Sequence, residues 1–174
     1  MKFLKTEFPE LTLIELNIHR DERGLFREVY KENPLIPSGY AQDNESFSIK
    51  GVLRGLHFQK SPAGQGKLVR VISGRAQDIV VDLRKYSPTY GKHLSVILDG
   101  NNMMYVPPGF AHGFLALEDT YFHYKCTSLY NKEMESGIIW NDPDLNLPWL
   151  LSWATPIVSD KDQKLPKFKD AGLV

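Results

Sequence analysis

The stretch VLRGLHFQKSPAGQGKLVRVISG, residues 52–74, sets an arginine, a histidine and a lysine into sequence that is otherwise apolar and β-branched. Arg54 and Lys67 are cations at neutral pH, and the His57 imidazole, with an ordinary pKa of about 6.5, can take or release a proton there. Such groups act together only if the strands turn them toward one place. In KLVRVI, period-two alternation puts Lys67, Val69 and Val71 on one face and Leu68, Arg70 and Ile72 on the other. In VLRGLHFQ, strict alternation separates Arg54 from His57. Either Arg54 lies at the surface, or the strand breaks its period between them, and Gly55 is the residue at which a β-bulge is tolerated. A second stretch, YVPPGFAHGFLAL, has a rigid Pro-Pro-Gly turn leading into a strand on which His112, Phe114 and Ala116 share a face.

The elements that must carry these groups are short. Runs such as LTLIELNI, GLFREVY, AQDIVVDL, HLSVIL, MMYV and YFHYKCTSLY recur between turn signals at Asp21-Glu22-Arg23-Gly24, Ser73-Gly74, Asp99-Gly100-Asn101 and Pro107-Pro108-Gly109. That spacing predicts an all-β sandwich or barrel. No helical period persists beyond about two turns, and short peripheral helices are expected only near 31–40 and in the tail. After Trp140 the chain turns to Asn, Asp, Pro and Lys, which reads as irregular segments held on the β core by Trp140, Trp149 and Trp153, with a flexible tail as the alternative. His19, His93 and His123 are expected in a surface turn, on a surface strand and at a strand flank. The aspartates of DIVVDL are expected to face solvent or brace loops.

At 174 residues, 42% hydrophobic and 11% aromatic, the chain suits one domain over 1–174 with one substantial core. Basic and acidic residues number 21 each, so the balance points to no nucleic acid and no membrane surface as partner. Any bound anion must be met by a local cluster. The single cysteine, Cys126, cannot form a disulfide within the chain and is expected as a buried strand thiol. The absence of an apolar leader or a spanning segment makes a cytoplasmic location the expectation.

The spacing Pro107-x-Gly109-x-x-His112 is that of the second cupin motif, which supplies a histidine ligand in metal cupins. The first cupin motif would need His-x-His and a following glutamate, whereas here the run is His57-Phe58-Gln59. Two histidines and a glutamine are a poor transition-metal set, so no metal is expected. With GVLRGLHFQ, GQGKLVRV, DLRKYSPTYGK, VPPGFAHGF and GIIWNDPDL in this order, the chain resembles the dTDP-4-dehydrorhamnose 3,5-epimerase family, from about DERGLF to SDKD. The resemblance implies a metal-free cupin with a jelly-roll core, usually a homodimer. Its reaction is inversion of C3 and C5 of a thymidine-diphosphate 4-keto-6-deoxy sugar, without a cofactor.

The resemblance also implies roles. His57 would be the base, Asp162 its carboxylate partner, Tyr124 the acid on the opposite side of the sugar, and Lys67 the cation at the C4 oxygen. Arg23, Glu28, Gln42, Asp43, Asn44 and Arg54 fall on substrate-contacting positions, arginine suiting a diphosphate through its bidentate fork. His112 falls near the sugar and Tyr130 on the aromatic that stacks on thymine, while Glu135 and Lys161 match further binding positions. Arg23 and Glu28 commonly reach the partner subunit's site in such a dimer. Other readings stay open: an epimerase acting at one carbon, a ketoisomerase of the same fold, a sugar-binding jelly roll without turnover, or a metal cupin using His57 and His112. No Gly-x-Gly-x-x-Gly fingerprint opens a helix, which argues against hydride transfer.

Overall fold

The computed structural model describes residues 1–151 and 155–171. Among these, the strands in chain order are β1 (Lys2–Lys5), β2 (Thr12–Glu15), β3 (Ile18–Asp21), β4 (Gly24–Arg27), β5 (Gln42–Ser48), β6 (Val52–Gln59), β7 (Lys67–Ser73), β8 (Ala76–Asp82), β9 (His93–Leu98), β10 (Asn102–Val106), β11 (Phe110–Ala116), β12 (Thr120–Cys126), β13 (Glu135–Gly137) and β14 (Ile157–Val158). One sheet has the order β1-β2-β10-β7-β12-β5. The other has the order β13-β6-β11-β8-β9, with β14 running parallel to β6. The remaining pairings are antiparallel, and β3 and β4 form a separate hairpin. This is the all-β sandwich of jelly-roll type expected from the sequence.

Period-two alternation explains where the cores lie. Val69 and Val71 of β7, Phe122 of β12, Val80 of β8 and Phe114 of β11 meet between the sheets, where the Phe114 and Phe122 rings stack with centroids 4.1 Å apart. The alternate residues Leu56 and Phe58 of β6 and Ile79 and Val81 of β8 face outward from the second sheet. They are covered there by Leu145, Trp149, Phe168 and Ala171 of the irregular C-terminal chain. The tail thus packs on the core as expected. Trp149 also donates its indole N–H to the Trp140 carbonyl at 2.8 Å, while Trp153 lies outside the described residues.

Several local expectations change. Residues 31–40 form turns, not a helix, because Pro34 and Pro37 interrupt the ladder of backbone donors and Asn33 caps the Leu35 N–H instead. The tail helices are single 3₁₀ turns at Asp162–Lys164 and Phe168–Asp170. His19 sits on exposed strand β3, not in a turn, and His123 sits in mid-strand on the outer face of β12. His93 begins β9.

Candidate active site

The register between β6 and β11 decides what faces the interior. His57 pairs with His112 and Arg54 pairs with Phe114, so three steps on β6 are matched by two on β11. The extra residue is accommodated at Gly55, whose φ is +115°, a conformation that favours glycine. A Cβ at Gly55 would lie 2.7 Å from both the Gly113 Cα and the His112 carbonyl oxygen, backbone atoms that cannot yield. The bulge is therefore present where the sequence allowed one. It turns Arg54 and His57 to the same inner face as His112 and Phe114.

The opposing wall comes from β5, β7 and β12. Tyr124 pairs with Asn44 on one side and Val69 on the other, and Cys126 pairs with Gln42 and Lys67, so these inward residues form one patch. Arg54 reaches across the gap between the sheets to the Ser48 hydroxyl at 2.9 Å and the Phe47 carbonyl at 3.0 Å. The Lys67 ammonium lies 5.8 Å from the Tyr124 ring centroid. Burial lowers the Lys67 pKa, against the pull of Cys126, Asp78 and Glu135. Burial also raises the pKa of Tyr124, which the nearby Arg54 partly offsets. Cys126 is buried, its thiol pushed up by burial while Lys67 and Asn44 work the other way.

His57 Nε2 is 2.7 Å from Asp162 Oδ1, and Asp162 Oδ2 accepts the Gly55 N–H at 3.0 Å. The strand β14 lies along β6, and the 3₁₀ turn that follows it delivers this aspartate from far down the chain. Burial works to raise the Asp162 carboxyl. His57, the Gly55 amide and Lys161 outweigh it and hold the carboxyl below its ordinary value. An ionised carboxylate only accepts, so the proton of a neutral His57 sits on Nε2 and Nδ1 keeps the free lone pair.

A second pair stands beside the first: His112 Nε2 is 2.8 Å from Asp78 Oδ2. Asp78 lies on β8 opposite Phe114 and is fully buried, with Oδ1 lacking a hydrogen-bond partner among the described residues. The expectation that it faces solvent or braces a loop is corrected; Asp82, four residues on, does brace a loop, through Arg84, Ser87 and Thr89. Asp78 is the site residue that sequence reasoning missed. Its signal was the alternation that puts it on the face of Val80, beside a strand whose inner face carries His112 and Phe114.

At the rim, exposed Tyr130 donates its hydroxyl to Glu135 at 2.8 Å, and Lys161 is ion-paired to the same Glu135 oxygen. Burial opposes Glu135 ionisation, but Lys161 and Tyr130 hold its carboxyl below the ordinary range, and Glu135 in turn raises Lys161. Three predicted site residues stand apart. Asp43 points out of the cavity, to Lys125 at 2.8 Å, because it alternates with Gln42 and Asn44. Arg23 and Glu28 lie on or beside the exposed β3–β4 hairpin, where Arg23 is engaged by Asp21. Among the described residues no group of three or more His, Cys, Asp or Glu side chains is placed to hold a metal ion.

The family model described as dTDP-4-dehydrorhamnose 3,5-epimerase matches residues 5–170. The chain belongs to the dTDP-4-dehydrorhamnose 3,5-epimerase family. It is 48% identical over 170 residues to the dTDP-4-dehydrorhamnose 3,5-epimerase of Methanothermobacter thermautotrophicus, covering 93% of this chain and 91% of that relative. The crystal structure of the epimerase from Elizabethkingia anophelis superposes with a TM-score of 0.91 at 44% identity, covering 98% of this chain and 97% of the other. The Legionella pneumophila dTDP-6-deoxy-D-glucose-3,5-epimerase, solved in complex with dTDP-4-keto-L-rhamnose, superposes with a TM-score of 0.90 at 41% identity, covering 97% and 93%. The family therefore spans both walls of the cavity and the tail that supplies Asp162.

Proposed function

We propose that the protein inverts C3 and C5 of dTDP-4-keto-6-deoxy-D-glucose, giving dTDP-4-keto-L-rhamnose, with His57 as the base. The observation that carries this is the His57–Asp162 pair held on the inner face of β6, across the cavity from Tyr124 and Lys67. His57 Nδ1 takes the proton from the carbon beside the C4 ketone. The C–H bonding pair moves into the ring, and the carbonyl becomes an enolate whose oxygen accepts from the Lys67 ammonium. The charge acquired by His57 is met by Asp162. Tyr124, kept protonated at neutral pH by its raised pKa, gives its proton to the opposite face and the ketone re-forms. Between inversions His57 gives its proton to solvent and Tyr124 takes one back, so the same groups serve both carbons, and no electrons are gained or lost.

Arg54, Asn44 and Gln42 contact the nucleotide sugar from within the cleft, His112 lies at the sugar, and Tyr130 stacks on thymine, supported by Glu135 and Lys161. Arg23 and Glu28 act in the site of a second copy. The exposed Leu25 and Phe26 on their hairpin, 49% and 70% accessible, give a homodimer apolar surface to bury. One domain, residues 1–174, carries the whole reaction in the cytoplasm. The reading is tested by proton NMR with dTDP-4-keto-6-deoxy-D-glucose in deuterated water with chelator present. Loss of both the C3 and C5 proton signals supports it; loss of one identifies a single-centre epimerase, and loss of neither with binding retained makes the protein a binder.

A further inference from the structure

Among the described residues the loop after β12 that carries Tyr130 pairs with no strand, and side chains satisfy much of its backbone. Gln65 donates to the Ser128 carbonyl at 2.7 Å, and around Tyr130 itself two further glutamines do this. Gln42 Oε1 accepts the Tyr130 N–H at 2.8 Å, and Gln59 Oε1 accepts the Asn131 N–H at 2.6 Å. The Gln59 amide nitrogen donates to the Ala63 carbonyl at 2.7 Å and more weakly to the Leu129 carbonyl at 3.5 Å. Gln59 is 6% exposed, while the Tyr130 side chain it flanks belongs to a residue 51% exposed. A buried amide at the end of β6 thus grips the peptide groups on both sides of an exposed aromatic. Its other end is fixed through the strand that carries His57.

We propose that Gln59 is a positioning residue for the nucleotide: it fixes the Leu129–Asn131 backbone so that the Tyr130 ring stands ready for the thymine. This rests on the stacking role of Tyr130 given above. Gln59 occupies the place where a metal cupin would offer a second histidine, two residues after His57 and on the same face. Here that position is committed to holding a loop. A pre-set ring contributes to binding equally in the ground state and the transition state, so its loss raises KM and leaves kcat in place.

The test is a double-mutant cycle on thymidine diphosphate affinity, by calorimetry, and on steady-state kinetics. Gln59→Leu removes the acceptor and the donor at nearly constant volume. Its expected effect is a Kd and KM raised about tenfold, the size of one or two lost hydrogen bonds, with kcat within about twofold. In a Tyr130→Ala background the same change should add little, because the ring it serves is gone. Gln59→Glu, which keeps an acceptor for the Asn131 N–H, should lose less and gives the same cycle should the leucine variant fold poorly. Effects of Gln59 and Tyr130 that simply add, or a fall in kcat with affinity unchanged, overturn the proposal. A Tyr130→Ala protein that binds thymidine diphosphate normally while Gln59→Leu binds weakly also overturns it, and separately removes the stacking role. Normal binding by Gln59→Leu with weak binding by Tyr130→Ala removes only the role of Gln59.

Discussion

Two histidine–aspartate pairs face each other across one rung of the β6–β11 ladder, and they differ in almost everything but their chemistry. His57 and Asp162 have side chains 29% and 5% exposed, whereas His112 and Asp78 are 9% and 0% exposed. Both Asp162 oxygens have donors, His57 and the Gly55 amide, while Asp78 has one oxygen bonded and one without a partner among the described residues. Asp162 arrives from the tail on a single 3₁₀ turn; Asp78 belongs to the neighbouring strand. The open pair can exchange a proton with a ligand, and its carboxylate is fully satisfied before the reaction begins. The enclosed pair fixes an imidazole in place. In the proposed mechanism the same two residue types are thus divided between proton transfer and orientation by exposure and by the satisfaction of the carboxylate.

The largest expected effect follows from removing the open imidazole. His57→Ala should lower turnover by about 10²–10⁴ and abolish exchange of the C3 and C5 protons, with thymidine diphosphate binding nearly intact. His112→Ala in the same assay should still exchange; equal losses would erase the distinction between the pairs. Next, Tyr124→Phe should preserve deprotonation, seen as deuterium exchange, while the yield of inverted sugar falls by about 10²-fold. Unchanged yield would remove Tyr124 as the acid.

The aspartates sharpen the comparison further. Asp78→Leu leaves a buried His112 N–H without its acceptor and should cost about 1–3 kcal/mol of stability in urea denaturation. Asp162→Asn should fold with a smaller loss but turn over far more slowly, because an amide cannot balance the charge on His57. A reversed pattern, with Asp78 governing rate and Asp162 stability, would break the assignment. The smallest effect concerns acid. Because the folded-state pKa of Asp162 lies below its unfolded value, its contribution to stability is complete above the unfolded pKa and lost as pH falls through the folded one. Denaturant midpoints measured from pH 6 downward should therefore decline less steeply in Asp162→Asn than in the parent protein.

Much of this was legible in the sequence because strands buried on one or both faces announce themselves by their apolar residues. The runs around β6, β7, β8 and β11 did so, and Gly55 marked the change of phase. β5 was not among the expected strands: in QDNESFS the inner residues Gln42, Asn44, Ser46 and Ser48 are all polar, and the outer face carries Asp43, Glu45 and Phe47, so neither face is an apolar one. A strand that serves a binding site loses the very alternation by which strands are read. Asp162 was reached only through family resemblance, because nothing local ties it to His57, more than a hundred residues earlier. Gln59 was read only as a missing metal ligand, and its grip on the Tyr130 loop depends on tertiary contacts that no spacing encodes.

The close approach of Gly55 to Gly113 has a consequence for how this site could be altered. Every residue of β6 beyond the bulge is counted from it, so the side chains from His57 onward are locked in phase with one another. Straightening the bulge with residue 55 still in the chain would shift that count by one. Leu56 and Phe58 would then swing into the cleft, and His57 and Gln59 would be driven against Ile79, Val81 and the tail that covers them. The proposed proton transfer and nucleotide placement would be lost in one step with His57 and Gln59 still in the chain. The site is a matter of parity as much as of composition: a single bulge straightened would turn it inside out.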